Sequence, residues 1–219
     1  MAKGWRQLIL LFLLFACVPE TTRLRRQLND PDPQTRANAA RRLGELKDRN
    51  SLPLLVNLLN DSEPIVRFEA GLALGKIGDT TAIAPLFTAA RNEPREDVAM
   101  AFTRALGDIG PAATDPLINL TGSPKTAVRI VACHELGRMR IKKAVDPLIR
   151  RLDDPDPNVR RKAIFALRRI GDQKGLSAIA SKISSIDPVT EQAAEAALSG
   201  QGYEEQLGEI RALLRRFNR

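Results

Sequence analysis

Three residues of this 219-residue chain carry side chains suited to nucleophilic or metal chemistry beyond the common acids and bases: Cys17, Cys133 and His134. Cys133 and His134 are adjacent, and Glu135 follows them. A thiol beside an imidazole is the pairing of a nucleophile with its base. Consecutive residues on a helix, however, point to different faces, so these two cannot exchange a proton. One histidine and two cysteines are too few for a multi-histidine metal centre, a structural zinc site or a disulfide-stapled fold. No Gly-rich phosphate loop, triad or metal-ligand cluster is present either. The sequence therefore reads as a non-enzyme without cofactor or metal.

Cys17 has a different context. Lys3 and Arg6 precede an unbroken apolar run from Leu8 to Ala16, which ends at Cys17. The run is half the roughly 20 apolar residues that a membrane-spanning helix needs, and a short run behind a positive start is the pattern of a secretory signal peptide. Leu14-Phe15-Ala16-Cys17 resembles the lipobox of bacterial lipoproteins, with Phe15 a departure from the small residue usual at that place. The resemblance implies cleavage before Cys17 and acylation of its thiol. Residues 1–16 are then the lipoprotein signal peptide, 17–28 a lipidated N-terminus with a capping helix, and 29–219 the folded body. Localisation would be the bacterial cell envelope, lipid-anchored to a membrane and facing the periplasm or exterior. Losing Lys3 and Arg6 lowers the formal charge from +8 to +6 and leaves Cys133 as the one remaining thiol.

The elements that must carry these residues are written in a repeat. The pattern Val-Arg-x-x-Ala-x-x-x-Leu-Gly recurs from Thr35, Val66, Val98, Val128, Val159 and Thr190, in steps of 30 to 32 residues. A second marker, Pro followed by Leu and an apolar residue, recurs at Pro53, Pro85, Pro116 and Pro147 in steps of 31 or 32. Val66, Ala70, Leu74 and Ile77 fall on one helical face, and Ile83 to Ala90 forms a shorter partner helix with Pro85 near its start. Gly78, Gly110 and Gly171 stand where the long helices should end. A pair of helices cannot bury its apolar face alone, so six such pairs must stack into one continuous core. Aromatics make up 4% and hydrophobic residues 43% of the chain, so that core is built on Leu, Ile, Val and Ala.

These repeats resemble HEAT-like repeats, particularly the short bacterial kind related to phycobilin lyase repeats. The resemblance implies an all-α, right-handed α-α superhelix of about six helix-pair repeats, each of ~31 residues. It also implies that the second helix of each pair lines a concave face, and that an arginine after the Val and an aspartate in the turn form a ladder along the stack. The matching positions are Arg36, Arg67, Arg129 and Arg160, with Asp32, Asp61 and Asp156 as partners. Ala99 and Glu191 break the ladder in units three and six. His134-Glu135 resembles one of the His-Glu motifs of HEAT-like deoxyhypusine hydroxylases, whose iron site needs several such pairs where this chain has one. Cys133 stands where other units carry Ala40, Gly71 and Ile164, which makes it a packed apolar position.

On the concave face, the position six after each Val gives Arg41, Leu72, Arg104, His134, Phe165 and Ala196. The flanking column is Ala37, Phe68, Met100, Ile130, Arg161 and Gln192. An apolar stripe bordered by arginines fits a protein or peptide partner, with Arg41, Phe68, Met100, Arg104, His134, Arg161 and Phe165 as contact residues; packing under neighbouring repeats accounts for the same residues equally well. Charge is uneven: residues 138–174 hold twelve Lys or Arg against five Asp, whereas 61–135 hold seven against ten Asp or Glu. A basic patch attracts nucleic acid, anionic lipid headgroups or an acidic protein, and a secretory signal argues against the first. The expectation is a membrane-anchored scaffold or assembly factor. The alternatives are a bilin-lyase-like or chaperone-like protein acting on another polypeptide, and a nucleic-acid-binding solenoid if the signal is spurious.

Overall fold

The structure, a computed structural model, describes residues 19–182 and 188–199. Cys17 and the apolar run before it lie outside those residues. Twelve α-helices and no strand occur among the described residues. They are α1 Glu20–Gln27, α2 Pro33–Glu45, α3 Leu52–Asn57, α4 Pro64–Ile77, α5 Ile83–Asn92 and α6 Glu96–Ile109, then α7 Thr114–Leu120, α8 Thr126–Arg138, α9 Val145–Arg150, α10 Pro157–Ile170, α11 Gln173–Lys182 and α12 Pro188–Leu198. None of them is long and apolar enough to cross a membrane.

The repeat pattern explains the alternation. The Val-Arg segments form the long helices α2, α4, α6, α8, α10 and α12, and the Pro-Leu segments form the shorter α3, α5, α7 and α9. Asp32 and Asp156 cap α2 and α10: Asp32 accepts from the N–H groups of Gln34 and Thr35, Asp156 from those of Asn158 and Val159. Pro33, Pro64 and Pro157 open their helices, where the missing N–H would have had no intrahelical partner. Gly78 and Gly171, at φ 72° and 71°, end α4 and α10 in the left-handed region that a side chain enters only with strain.

Successive long helices pack against one another, and the short helices cover them from the outer side. One hydrophobic cluster runs from Leu24 to Leu198, almost entirely of Leu, Ala, Val and Ile. Val66, Ala70 and Leu74 have no exposed surface. The long helices approach closely because a glycine nine residues after the Val faces an alanine of the next helix. A Cβ on Gly44 would lie 2.6 Å from the Ala73 Cα, one on Gly75 2.8 Å from the Ala105 Cα, and one on Gly137 2.5 Å from the Ala166 Cα. Phe102, the largest fully buried side chain, lies over Gly71, whose absent Cβ would meet its ring at 2.4 Å. Large and small residues thus exchange between neighbouring repeats at constant volume.

Candidate functional site

Two sets of polar residues run along the stack, one structural and one facing the groove. In the first, Arg36, Arg67 and Arg129 each bind in two directions. Arg36 donates from Nη1 to the carbonyls of Asp30 and Pro31 at 2.8 and 3.1 Å, and from Nε and Nη2 to both Asp61 oxygens at 2.8 Å. Arg67 repeats this with the carbonyls of Asp61 and Ser62 and a bidentate pair of 2.8 Å bonds to Glu93. Arg129 does so with Ser123, Pro124 and, at 2.8 and 2.9 Å, Asp154. Arg160 donates to the carbonyls of Asp154 and Pro155. The rungs of Arg36, Arg67 and Arg129 therefore tie one turn to the next through planar, charge-assisted bonds.

The acidic partner is the residue five before the Val, and this corrects the expected ladder. Asp61 holds that place, but Asp32 and Asp156 stand two residues nearer the helix and cap it instead. Glu93 and Asp154, which the sequence reading missed, are the partners in units three and five. Their signal was the column Asp30, Asp61, Glu93, Ser123, Asp154, which shares the period of the Val. The break in unit three is a coordinated one. Ala99 removes the arginine, Ser123 removes the acid it would have met, and Lys125 Nζ donates to the Glu93 carbonyl that such an arginine would have clamped.

Burial by itself would raise the Asp61 and Glu93 carboxyls. The hydrogen bonds from Arg36 and Arg67, those from the backbone N–H groups of Glu63 and Arg95, and the nearby positive charges outweigh it, so both pKa values fall below the ordinary 3.8 and 4.5. A carboxyl depressed by folding contributes stability above its unfolded pKa and loses it as pH falls through the folded one. Thermal stability should therefore hold down to about pH 5 and fall steadily toward pH 2. Arg67→Met should flatten that acid limb in a series of melts, and an unchanged limb would exclude the ladder as its source.

The second set lines a groove of about 840 Å³ across α4, α6, α8 and α10. Phe68, Leu72, Met100 and Ile130 form its apolar floor, with Arg104 and His134 beside them and Lys76, Arg138 and Lys162 at its edges. Of the expected contact residues, the structure thus gathers Phe68, Met100, Arg104 and His134. Arg41 instead pairs with Glu69 at 3.1 Å, and Arg161 donates to Asn158 at 3.1 Å. Phe165, 37% exposed, lines an adjoining pocket of about 500 Å³ that shares His134 and Lys162 with the groove. From the same concave columns, Ala37 is fully buried.

The groove is not electrostatically symmetric. Its acids are engaged: Asp97 pairs with Arg95, and Arg138 binds Glu135 at 2.6 Å while donating to the Gly107 carbonyl at 2.8 Å. Glu135 takes the place of the alanine that packs on glycine in other repeats, and a Cβ on Gly107 would lie 2.4 Å from its carboxylate. Lys76, Arg104 and Lys162 form no ion pair among the described residues. Partial desolvation lowers the His134 pKa; Glu135 opposes this, while Lys162, Arg169 and Arg138 reinforce it, so the imidazole is neutral at pH 7. Burial pushes the Cys133 thiol up to about 12, and with no exposed surface it is a core residue and not a nucleophile. No group of three or more His, Cys, Asp or Glu side chains is placed to hold a metal among the described residues.

The sequence matches the family of HEAT repeats over residues 21–107 and 111–214, which together span most of the chain. The chain belongs to the HEAT-repeat family. No curated relative matches it. Among solved structures, this HEAT-repeat chain is similar to YibA of Escherichia coli, at 17% identity and a TM-score of 0.63, over 98% of this chain and 80% of that one. It is also similar to a designed armadillo repeat protein in complex with the peptide (KR)4, at 23% identity and a TM-score of 0.56, over 82% and 98%. An engineered protein matches at 23% identity and a TM-score of 0.54, over 88% and 98%. These likenesses establish an α-solenoid of stacked helix pairs, the architecture expected from the repeats.

Proposed function

We propose that this HEAT-repeat protein is a non-enzymatic scaffold that holds a segment of a partner protein in its concave groove while lipidated Cys17 keeps it at the cell-envelope membrane. The observation that carries the reading is the apolar floor of Phe68, Leu72, Met100 and Ile130 beside Lys76, Arg104 and Lys162, cations that form no ion pair among the described residues. Apolar anchors supply affinity on desolvation, and surrounding cations orient the incoming chain and select its charge. The complex of the designed armadillo protein with a peptide supports a peptide in this place. The membrane anchor is supported by the lipobox-like Leu14 to Cys17, with the folded body starting only a few residues later.

In-cell cross-linking followed by fractionation tests both halves. The wild-type chain should sediment with membranes and carry a cross-linked partner. Met100→Asp should lose the partner yet remain on the membrane, whereas Cys17→Ser should leave the membrane fraction and lose its acyl label. A Met100→Asp chain with an undiminished cross-link would sink the groove, and a Cys17→Ser chain still held at the membrane would sink the lipid anchor.

A further inference from the structure

The pocket that adjoins the groove differs from it in one respect: no carboxylate lines it among the described residues. Its walls are His134, Arg140, Lys162, Phe165, Ala166, Arg168 and Arg169, from the end of α8 and the concave side of α10. Arg140, Lys162, Arg168 and Arg169 engage no acid among the described residues, while other surface lysines such as Lys143 and Lys174 pair with Asp115 and Asp146 at 2.5 Å. Four cations around one half-open space repel each other, and bound anions would relieve this.

Two of the four depart from the repeat. Arg168 stands nine residues after its Val, where units one to four have glycine packed on the next long helix, and it is exposed. Arg140 stands where units two, three and five end their long helices with Gly78, Gly110 and Gly171, and it holds a φ of 54°. A non-glycine residue enters that region only with strain. Lys47 does the same in unit one. Arg140 faces the pocket.

We infer that this pocket is the acid-reading end of the groove, and that the partner segment is a peptide with a run of Asp or Glu at one end and apolar residues at the other. This deepens the groove reading and rests on it. The carboxylates would lie among Arg140, Lys162, Arg168 and Arg169, with Phe165 under their methylenes. The apolar end would run past His134 and Lys162, shared by both spaces, onto Ile130, Met100 and Phe68. Charge complementarity selects this occupant over a basic or neutral peptide. The pocket's continuity with an apolar floor favours a peptide over a lipid headgroup, whose acyl chains would stay in the bilayer.

Fluorescence anisotropy on the full-length chain in neutral-lipid nanodiscs tests this with three probes: a labelled peptide of four glutamates followed by leucines and a phenylalanine, the same peptide with glutamines for glutamates, and vesicles rich in phosphatidylglycerol. The glutamate peptide should bind at least about tenfold more tightly than the glutamine one, an advantage that salt reduces. The double change Arg168→Glu and Arg169→Glu should remove it. Arg140→Gly should weaken the glutamate peptide while raising the melting temperature, a combination that a purely structural role for Arg140 does not give. Equal affinity for the two peptides would overturn the acidic end yet leave the groove reading standing. Failure of both peptides to bind would remove the groove as well. Vesicles that displace the glutamate peptide and depend on the same arginines would reassign the pocket to the membrane.

Discussion

Arg129→Met is expected to lower the folding free energy by about 3 kcal/mol, the lower end of the cost of breaking a buried ion pair. The substitution strands Asp154, whose side chain has no exposed surface, and frees the Ser123 and Pro124 carbonyls that Arg129 clamps. Arg151 still reaches Asp154 at 3.3 Å and the Asp156 N–H still donates to it, which keeps the loss from being larger. Coupling Asp154→Ser to Arg129→Met should recover much of the stability, because no buried charge then lacks its partner. The chain already carries that solution in unit three, where Ala99 and Ser123 replace both members together. Urea unfolding of the two variants decides the matter. A single variant within about 1 kcal/mol of wild type, as for an exposed pair, would mean that the rung is ornamental.

Gly75→Leu should cost a similar amount, about 3 kcal/mol at the upper end for overpacking, with a melting temperature lower by roughly 10 °C. Its Cβ alone would lie 3.0 Å from the Ala105 Cβ and 3.3 Å from the Ala105 carbonyl oxygen, and both are fixed to the backbone of α6. Relief requires α4 and α6 to separate, which opens the interface on which stacking depends. Gly122→Ala is the control. Its Cβ would meet nothing closer than the Asn119 carbonyl at 3.5 Å, so its melting temperature should change by no more than a degree or two. Equal melting of the Gly75→Leu and wild-type chains would mean that the glycine column does not set the helix spacing.

Much of this architecture was legible in the amino-acid order because the repeat writes it several times over. The positions of Val66, Ala70, Leu74 and Ile77 fix the buried face of a long helix, and a residue's place within one unit predicts its place in the next. The arginine column was legible for the same reason. Its partners were not, since Asp30 and Asp32, or Asp154 and Asp156, offer two acids within one turn. Which of them caps a helix and which receives the guanidinium depends on the distance between stacked turns. Composition likewise located the basic excess within residues 138–174, yet Arg150, Arg151 and Arg161 lie in the same stretch without lining the pocket.

The sequence by itself thus determined the period, the alternation of long and short helices, the small-residue core and the family. Each of these follows from spacing along one chain, where helical geometry converts residue number directly into direction. Only the tertiary structure decided that Arg67 meets Glu93 and Arg129 meets Asp154, that Phe68, Met100, Arg104 and His134 share a groove, and that Phe165 stands with four cations beside it. Those arrangements bring together residues of different repeats, 25 or more positions apart in the two ion pairs, and their geometry is set by how closely Gly44, Gly75 and Gly137 let one helix approach the next.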